Sequence, residues 1–162
     1  VPAGRLSEAV DRHRELAKTI GMEGVRPYPG IPELLAALKR AGAFVGVVTS
    51  RNTEAAIDHL ERFGLMPDID YVRGGEPGGS AEKLTLLREA LADLHADKNE
   101  TVMVGDRHFD LLAARNAGID SVGVTYGYGA AEEIAACEPT HTVSSVNELS
   151  KLLLSGTSMR KE

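Results

Sequence analysis

The run from Thr101 to Gly118 constrains the fold more than any other part of the sequence. It reads TVMVGDRHFDLLAARNAG, in which a short apolar stretch ends at Gly-Asp and a second Asp follows four residues later. Residues 101–104 predict a buried strand, Gly105 permits a turn, and LLAARNAG has the apolar spacing and terminal glycine of a helix. We therefore expect Asp106 at the carboxyl end of a strand and Asp110 one helical turn beyond it.

Two carboxylates at that position suggest a metal. Ligands bind at the carboxyl edge of an open parallel sheet, and paired carboxylates suit a hard divalent cation such as Mg2+. Asp is also frequent in strand-to-helix turns, because it caps helices well. Taken alone, Asp106 and Asp110 fit a helix cap and a metal site equally well.

Length and composition favour one cytoplasmic domain. The chain has 162 residues, 43% of them hydrophobic, which suffices for a single core. Its net charge of -6 gives no basic patch for nucleic acid or for an anionic membrane. No apolar run approaches the roughly 20 residues that a membrane span needs. The single Cys137 excludes an internal disulfide.

Helical and strand patterns alternate along the chain. Apolar periodicity predicts helices near residues 6–20, 32–41, 53–63, 81–94, 108–117, 130–136 and 146–154. Runs rich in β-branched residues predict strands at 43–50, 101–105 and 120–127, with weaker candidates at DYVRG and HTVS. Strand followed by helix, repeated, predicts an α/β fold with a parallel sheet and helices on both faces.

A second candidate site is VVTSR at 47–51, a strand that ends in hydroxyls before a predicted helix. The amino terminus of a helix presents unpaired N–H groups and a positive dipole end. Thr49 Oγ with the amides of Ser50 and Arg51 would therefore form a cradle for phosphate. An ordinary helix cap by Ser50 or Asn52 is the alternative.

The third candidate is Lys83, in GGEPGGSAEKLTLLREAL. A glycine-rich loop leads into an amphipathic helix, and Lys83 lies in the first turn of that helix. Helices usually carry acidic residues there and basic residues in the last turn. The position suggests a lysine that meets an anion, although many surface lysines break this preference without consequence.

Together the three motifs resemble the haloacid dehalogenase-like phosphohydrolases. Thr49 matches the hydroxyl of the family's second motif, Lys83 matches its third, and Gly105, Asp106 and Asp110 match its GDxxxD motif. YPGIPELLAALKRAG at 28–42 and GVTYGYG at 123–129 are similar to the phosphoglycolate phosphatase-like branch. The resemblance implies a three-layer Rossmann-like core.

The resemblance also implies phosphoryl transfer to an Asp nucleophile, with Mg2+ and a lysine neutralising the charge on the transferred group. In this chain Thr49, Ser50 and Arg51 would bind the phosphoryl oxygens, and Lys83 would bridge phosphate and nucleophile. Asp106 would hold Mg2+, with Asp110 beside it as a second carboxylate that assists or orients. The substrate would be a small phosphorylated metabolite.

The family's first motif, an apolar strand ending in DxDGT, does not occur in these 162 residues. The only DxD is Asp68-Ile69-Asp70, which follows Met66-Pro67 and which we interpret as an acidic loop before a minor strand. Without the nucleophile, the chain is expected to be an inactive member of a phosphatase family. The alternative is a non-catalytic phosphatase-like protein that binds a ligand or partner.

The resemblance predicts three parts: a remnant of a helical cap and linker at 1–27, the core at 28–155, and a polar tail at 156–162. It places the first-motif strand in the middle of the sheet, between the strands that end at Thr49 and Gly105. Without it, two strand edges would be unpaired. We expect a strand donated in trans, direct pairing of the two neighbours, or self-association.

Overall fold

The computed structural model describes residues 25–76 and 82–155. The expected helix at 6–20, most of the expected remnant at 1–27, the glycine-rich stretch at 77–81 and the tail at 156–162 lie outside these residues. The described helices are α1 (Ile31–Arg40), α2 (Thr53–Arg62), α3 (Lys83–Asp93), α4 (His108–Ala117), α5 (Ala131–Ala136) and α6 (Val146–Leu154). The described strands are β1 (Gly46–Asn52), β2 (Tyr71–Gly75), β3 (Val102–Gly105), β4 (Asp120–Val124) and β5 (His141–Val143).

All described strand pairs are parallel, as the alternation of strands and helices predicts. β1 pairs with β2, while β3, β4 and β5 form a second sheet in that order. Within the described residues no ladder joins β1 to β3. Of the three arrangements expected at the missing central strand, direct pairing of the two neighbours is therefore not the one that forms.

The strands differ in burial in a way that follows from this topology. Residues 121–124 of β4, the middle strand of its sheet, are all buried. Residues 102–104 of β3 and 47–49 of β1 are only half-buried, although their sequences are equally apolar at most positions. Among the described strands, β1 and β3 thus each pair on one side only, and both are less buried than the central strand β4.

One helical layer holds the two sheets together. Val48 of β1 and Met103 of β3 both pack against a buried cluster contributed by α3, α4 and the segment after α4. We call this the bridging cluster; its buried members are Leu87, Ala113, Ala114, Ala117 and Ile119. Burial of such side chains stabilises by about 1.5–3 kcal/mol each for the larger ones, so the cluster is the main apolar link between the sheets.

The opposite face of the β3–β4–β5 sheet is covered by α1 and α6. Leu34 of α1 and Leu149 of α6 are buried there against Val122, Val124 and Val143. The molecule therefore has helices on both faces of parallel sheets, which confirms the expected α/β class. None of the described helices is long and apolar enough to cross a bilayer.

Two predicted strands differ from the observed ones at their ends. β1 begins at Gly46 and runs to Asn52, later than predicted, because the Val45 N–H is engaged by the Asp70 carboxylate. β4 ends at Val124, and the following residues turn into the loop before α5. That loop contributes to the candidate site described below.

Candidate functional site

Lys83 joins the carboxyl ends of the two sheets. It is the first residue of α3, and its Nζ donates to the Val48 carbonyl at 3.0 Å and lies 3.1 Å from Asp110 Oδ1. Both charged side chains are only 13% exposed. This contact places the lysine beside the end of β1, because Val48 is the residue before Thr49. Two of the sequence-predicted site residues, Lys83 and Asp110, are thus in contact.

The segment predicted to hold phosphate leaves the β1–β2 ladder at Thr49, the first of its two hydroxyl residues. The β1–β2 register is regular through Val48, breaks, and resumes at Asn52. Residues 49–51 therefore have no cross-strand partner in that register. The Arg51 N–H donates to Thr49 Oγ1 at 3.2 Å, while Ser50 and Arg51 are exposed. The Arg51 amide is therefore engaged by Thr49 Oγ1 within the turn.

The helix cap after this segment is Asn52. Its side chain accepts the Ala55 N–H at 2.7 Å, which makes it the N-cap of α2. Of the two capping residues considered from the sequence, Asn52 takes the role and Ser50 does not. Neither the Thr49 hydroxyl nor the Ser50 hydroxyl caps α2, and Thr49 Oγ1 instead accepts the Arg51 N–H.

Asp106 lies in a cradle of glycines from the loop after β4. Its Oδ2 accepts the Tyr128 N–H at 2.9 Å. A Cβ added at Gly127 would approach the Asp106 side chain to under 3.0 Å, and one at Gly129 would approach the Asp106 carbonyl as closely. Gly105 is restricted in the same way by Asp110. Gly127 and Gly129 of GVTYGYG are therefore required by the close approach of this loop to Asp106.

The donor set of this cradle fits a hard cation in part. Asp106 Oδ1 has no hydrogen-bond partner among the described residues, and a free carboxylate oxygen is a ligand that Mg2+ prefers. Asp110, in contrast, is engaged by Lys83. The described residues contain no cluster of three or more His, Cys, Asp or Glu side chains that could hold a metal. A cation at Asp106 would therefore need oxygens from water, backbone or a bound phosphate, as is usual for Mg2+.

Glu133 is a residue that the sequence patterns did not indicate. One of its carboxylate oxygens accepts the His108 N–H at 2.9 Å and contacts Arg107 Nε at 2.9 Å and His108 Nδ1 at 2.6 Å. The backbone N–H of His108 and the side chains of Arg107 and His108 lower the Glu133 pKa to about 2. Sequence reasoning missed it because its partners lie 25 and 26 residues away.

The only DxD of the chain is structural, as its sequence context suggested. Met66–Asp68 forms a short 3-10 turn, and β2 follows at Tyr71. Asp70 forms an ion pair with Lys39 at 2.6 Å and accepts the Val45 N–H at 2.8 Å. Asp70 thus ties α1 and the residue before β1 to the loop that leads into β2.

Comparison with known proteins gives a consistent result. The family model for haloacid dehalogenase-like hydrolases matches residues 4–124. A Pseudomonas aeruginosa protein named 5'-nucleotidase is 34% identical over 150 residues, which are 92% of this chain and 68% of that protein. A Vibrio vulnificus phosphoglycolate phosphatase is 34% identical over 128 residues, 78% of this chain and 56% of that protein.

Solved structures agree with the fold. A crystal structure from Clostridium difficile, described as that of a candidate phosphatase, has a TM-score of 0.88 and 33% identity, covering 95% of this chain and 73% of that one. A haloacid dehalogenase-like family protein from Streptococcus pneumoniae has a TM-score of 0.83 at 24% identity, covering 92% and 70% of the two chains. The chain therefore shares the fold of these proteins and spans about half to three quarters of its relatives' length.

Proposed function

Because the chain belongs to the haloacid dehalogenase-like hydrolase family, we propose that it forms the phosphate- and metal-binding part of a Mg2+-dependent phosphomonoesterase centre. The contact of Lys83 with both Asp110 and the Val48 carbonyl carries this proposal. It places a largely buried cation between the carboxyl end of β1 and the first turn of α4. The proteins named phosphoglycolate phosphatase and 5'-nucleotidase among its relatives suggest a small phosphorylated metabolite of the cytoplasm as substrate.

Each binding role rests on a residue of this chain. Thr49 Oγ1 and the Ser50 amide would donate to phosphoryl oxygens at the point where β1 leaves its ladder. Arg51, exposed beside them, adds a positive charge at the same edge. Lys83 would donate to the phosphate, while Asp110 keeps its ammonium group directed at the site.

Mg2+ would bind the free oxygen of Asp106, whose other oxygen is fixed by the Tyr128 amide. When bound, the ion supplies positive charge that offsets the negative charge of the transferring phosphoryl group. Asp110 would be the lesser ligand of the two, because its Oδ1 is already paired with the charged Lys83 ammonium. We therefore propose that Asp110 orients the Lys83 side chain and that any contact with the metal is its second role.

We further propose that these 162 residues bind phosphate without hydrolysing phosphate esters by themselves, since they contain no DxDGT motif. The test is an NMR titration of the labelled chain with MgCl2 and inorganic phosphate, alongside a p-nitrophenyl phosphate assay. We expect Mg2+ to shift the Tyr128 amide in wild type and not in Asp106→Asn. Turnover that survives purification and is lost in Asp106→Asn would contradict the proposed inactivity.

Absence of both Mg2+ and phosphate binding would instead contradict the binding centre itself. Phosphate binding that is insensitive to Mg2+ and to Asp106→Asn would favour the second candidate, a non-catalytic phosphatase-like binding protein. The absent DxDGT motif is the observation that keeps this candidate open.

The facing edges of β1 and β3 have a proposed partner as well. Within the part of the chain that the structure describes, each strand pairs on one side only and is half-buried, and an unpaired edge of this kind can accept a further parallel strand. We propose that the strand comes from another chain, either a second copy or a donated segment. Sedimentation velocity over a wide concentration range tests self-association. A synthetic apolar peptide ending in DxDGT tests donation, and a monomer that ignores this peptide would contradict both.

A further inference from the structure

Glu133 reaches from α5 to the start of α4, the helix that carries Asp110. Its Oε1 accepts the backbone N–H of His108, the first residue of α4, at 2.9 Å. The same oxygen contacts Arg107 Nε and His108 Nδ1. Three groups from two consecutive residues thus converge on one carboxylate oxygen.

This contact replaces a missing helix cap. Arg107 is the N-cap of α4, and its side chain makes no capping hydrogen bond. The first N–H groups of a helix need acceptors, and a negative charge there also interacts favourably with the helix dipole. Glu133 supplies both from a different helix, so the amino terminus of α4 is tied to α5.

The tie lies next to Asp106 in the chain. Asp106 precedes Arg107 in the chain, and its carboxylate is held on the other side by the Tyr128 N–H. Tyr128 belongs to the loop that leads into α5, which begins at Ala131. The backbone that carries Asp106 and the group that orients its carboxylate are therefore both attached to the same short helix.

We propose that Glu133 is a positioning residue that fixes the direction of the Asp106 carboxylate for a divalent cation. The inference rests on the proposed role of Asp106 as a Mg2+ ligand. Glu133 does not touch the cation; it acts through the Arg107–His108 backbone. Outer groups of this kind commonly change metal affinity by ten-fold or more.

A role limited to fold stability makes a different prediction. Mg2+ demands near-ideal octahedral geometry, whereas Ca2+ accepts irregular oxygen sets. Partial unfolding would weaken the binding of both ions equally. Misdirection of Asp106 would weaken Mg2+ more than Ca2+, so the ratio of the two affinities separates positioning from stability.

The experiment compares Glu133→Gln with Glu132→Gln in the full chain. Glu132 is the adjacent residue of α5, is exposed, and has no side-chain partner among the described residues. Glu132→Gln therefore removes the same charge from the same helix without removing a contact. Two measurements are made by NMR: exchange of the His108 amide without metal, and titrations with MgCl2 and CaCl2 read at the Tyr128 amide.

We expect Glu133→Gln to speed exchange of the His108 amide roughly tenfold, since a charge-assisted hydrogen bond is lost. We expect its Mg2+ dissociation constant to rise roughly tenfold and its Ca2+ constant to rise less. Glu132→Gln should match wild type in all three. An unchanged His108 exchange rate, or equal weakening of both ions, would overturn the positioning role.

The two hypotheses fail separately. If wild type gives no Mg2+ response at the Tyr128 amide, the metal role of Asp106 is wrong. The positioning role of Glu133 then fails as well, because it depends on that metal role. If wild type binds Mg2+ and Glu133→Gln binds it equally well, the metal role stands and the positioning role is wrong.

Discussion

Lys83 and Asp110 form the least exposed ion pair of the described residues, with both side chains 13% exposed. Removing either partner leaves the other charge largely buried without its counter-ion. We expect a double-mutant cycle with Lys83→Met and Asp110→Asn to give a coupling of about 1–2 kcal/mol in urea unfolding. The exposed pair Asp58 and Arg62, in contact at 2.9 Å on α2, is the control and should give about 0.3–0.5 kcal/mol. Equal couplings would show that Lys83 is an ordinary surface lysine.

Asp70 predicts a pH dependence. Its hydrogen bonds from Lys39 and Val45 lower its pKa from the model-compound value of 3.8. A carboxyl whose folded pKa is lowered stabilises the fold above its unfolded pKa and loses this contribution as pH falls through the folded value. The stability difference between wild type and Asp70→Asn should therefore be constant from pH 7 to about 5 and shrink below about 3.8.

Urea unfolding at a series of pH values measures this difference. Asp68→Asn is the matched control, because Asp68 lies in the same loop and has no side-chain partner among the described residues. A difference for Asp70→Asn that stays unchanged down to pH 2 would be inconsistent with the ion pair.

Gly105 illustrates a residue whose small size the site requires. An added Cβ would approach the Asp110 side chain to under 3.0 Å, whereas at Gly46 the nearest atoms are 3.9 Å away. We expect Gly105→Ala to destabilise the fold by about 1–3 kcal/mol through overpacking, and Gly46→Ala to change it by less than about 0.5 kcal/mol. Thermal unfolding of the two variants checks this, and a tolerated Gly105→Ala would mean that Asp110 can move aside.

In the candidate site, the residues next to strand ends and helix starts were the predictable part. Lys83 stood out because it is a basic residue in the first turn of a helix, and Asp110 because it follows Asp106 by four residues. In the structure the two side chains are in contact. Glu133 could not be found in this way, because an acidic residue in the first turn of α5 is what helix chemistry favours anyway. Its role depends on a contact across 25 residues, which no local pattern encodes.

At the scale of elements, α4 and α6 agree with their predicted bounds, because both have strong end signals. Gly118 takes a left-handed conformation at the end of α4, and Ser145 caps α6. The ends of β1 were less predictable. They depend on the Asp70 contact and on the register break before Asn52, which are tertiary features.

The end of α3 predicts a stabilising substitution. His95 has φ 48 and follows the C-cap, and the Ala96 N–H returns to the Leu91 carbonyl at 3.0 Å. This is the position where helices usually carry glycine, because a side chain is strained there. We expect His95→Gly to stabilise by about 0.5–1 kcal/mol in thermal unfolding. Ala96→Gly is the control and should destabilise, since among described residues with a side chain only His95 and Glu138 have positive φ.

At the scale of the whole molecule, the parallel α/β class followed from the alternation of strands and helices. The family resemblance predicted two unpaired strand edges but left open how they are covered, so the division into two sheets was not predicted. The sheets share no ladder among the described strands, so their association depends on side chains. The bridging cluster provides these contacts, with Val48 from one sheet and Met103 from the other. Apolar periodicity marks such residues as buried but does not say which sheet they contact.

Loss of the bridging cluster should therefore separate the stabilities of the two sheets. Leu87 is 4% exposed at its centre, and Leu149 is 3% exposed on the opposite face, where it packs with β4 and β5. Either change to Ala should cost about 2–5 kcal/mol. Native-state hydrogen exchange distinguishes them: Leu87→Ala should lower protection of β1 and β2 more than that of β4, because the smaller sheet loses its anchor. Leu149→Ala should lower protection chiefly in β4 and β5. Uniform loss of protection in both variants would mean that the two sheets unfold as one cooperative unit, and that the helical layer is not what joins them.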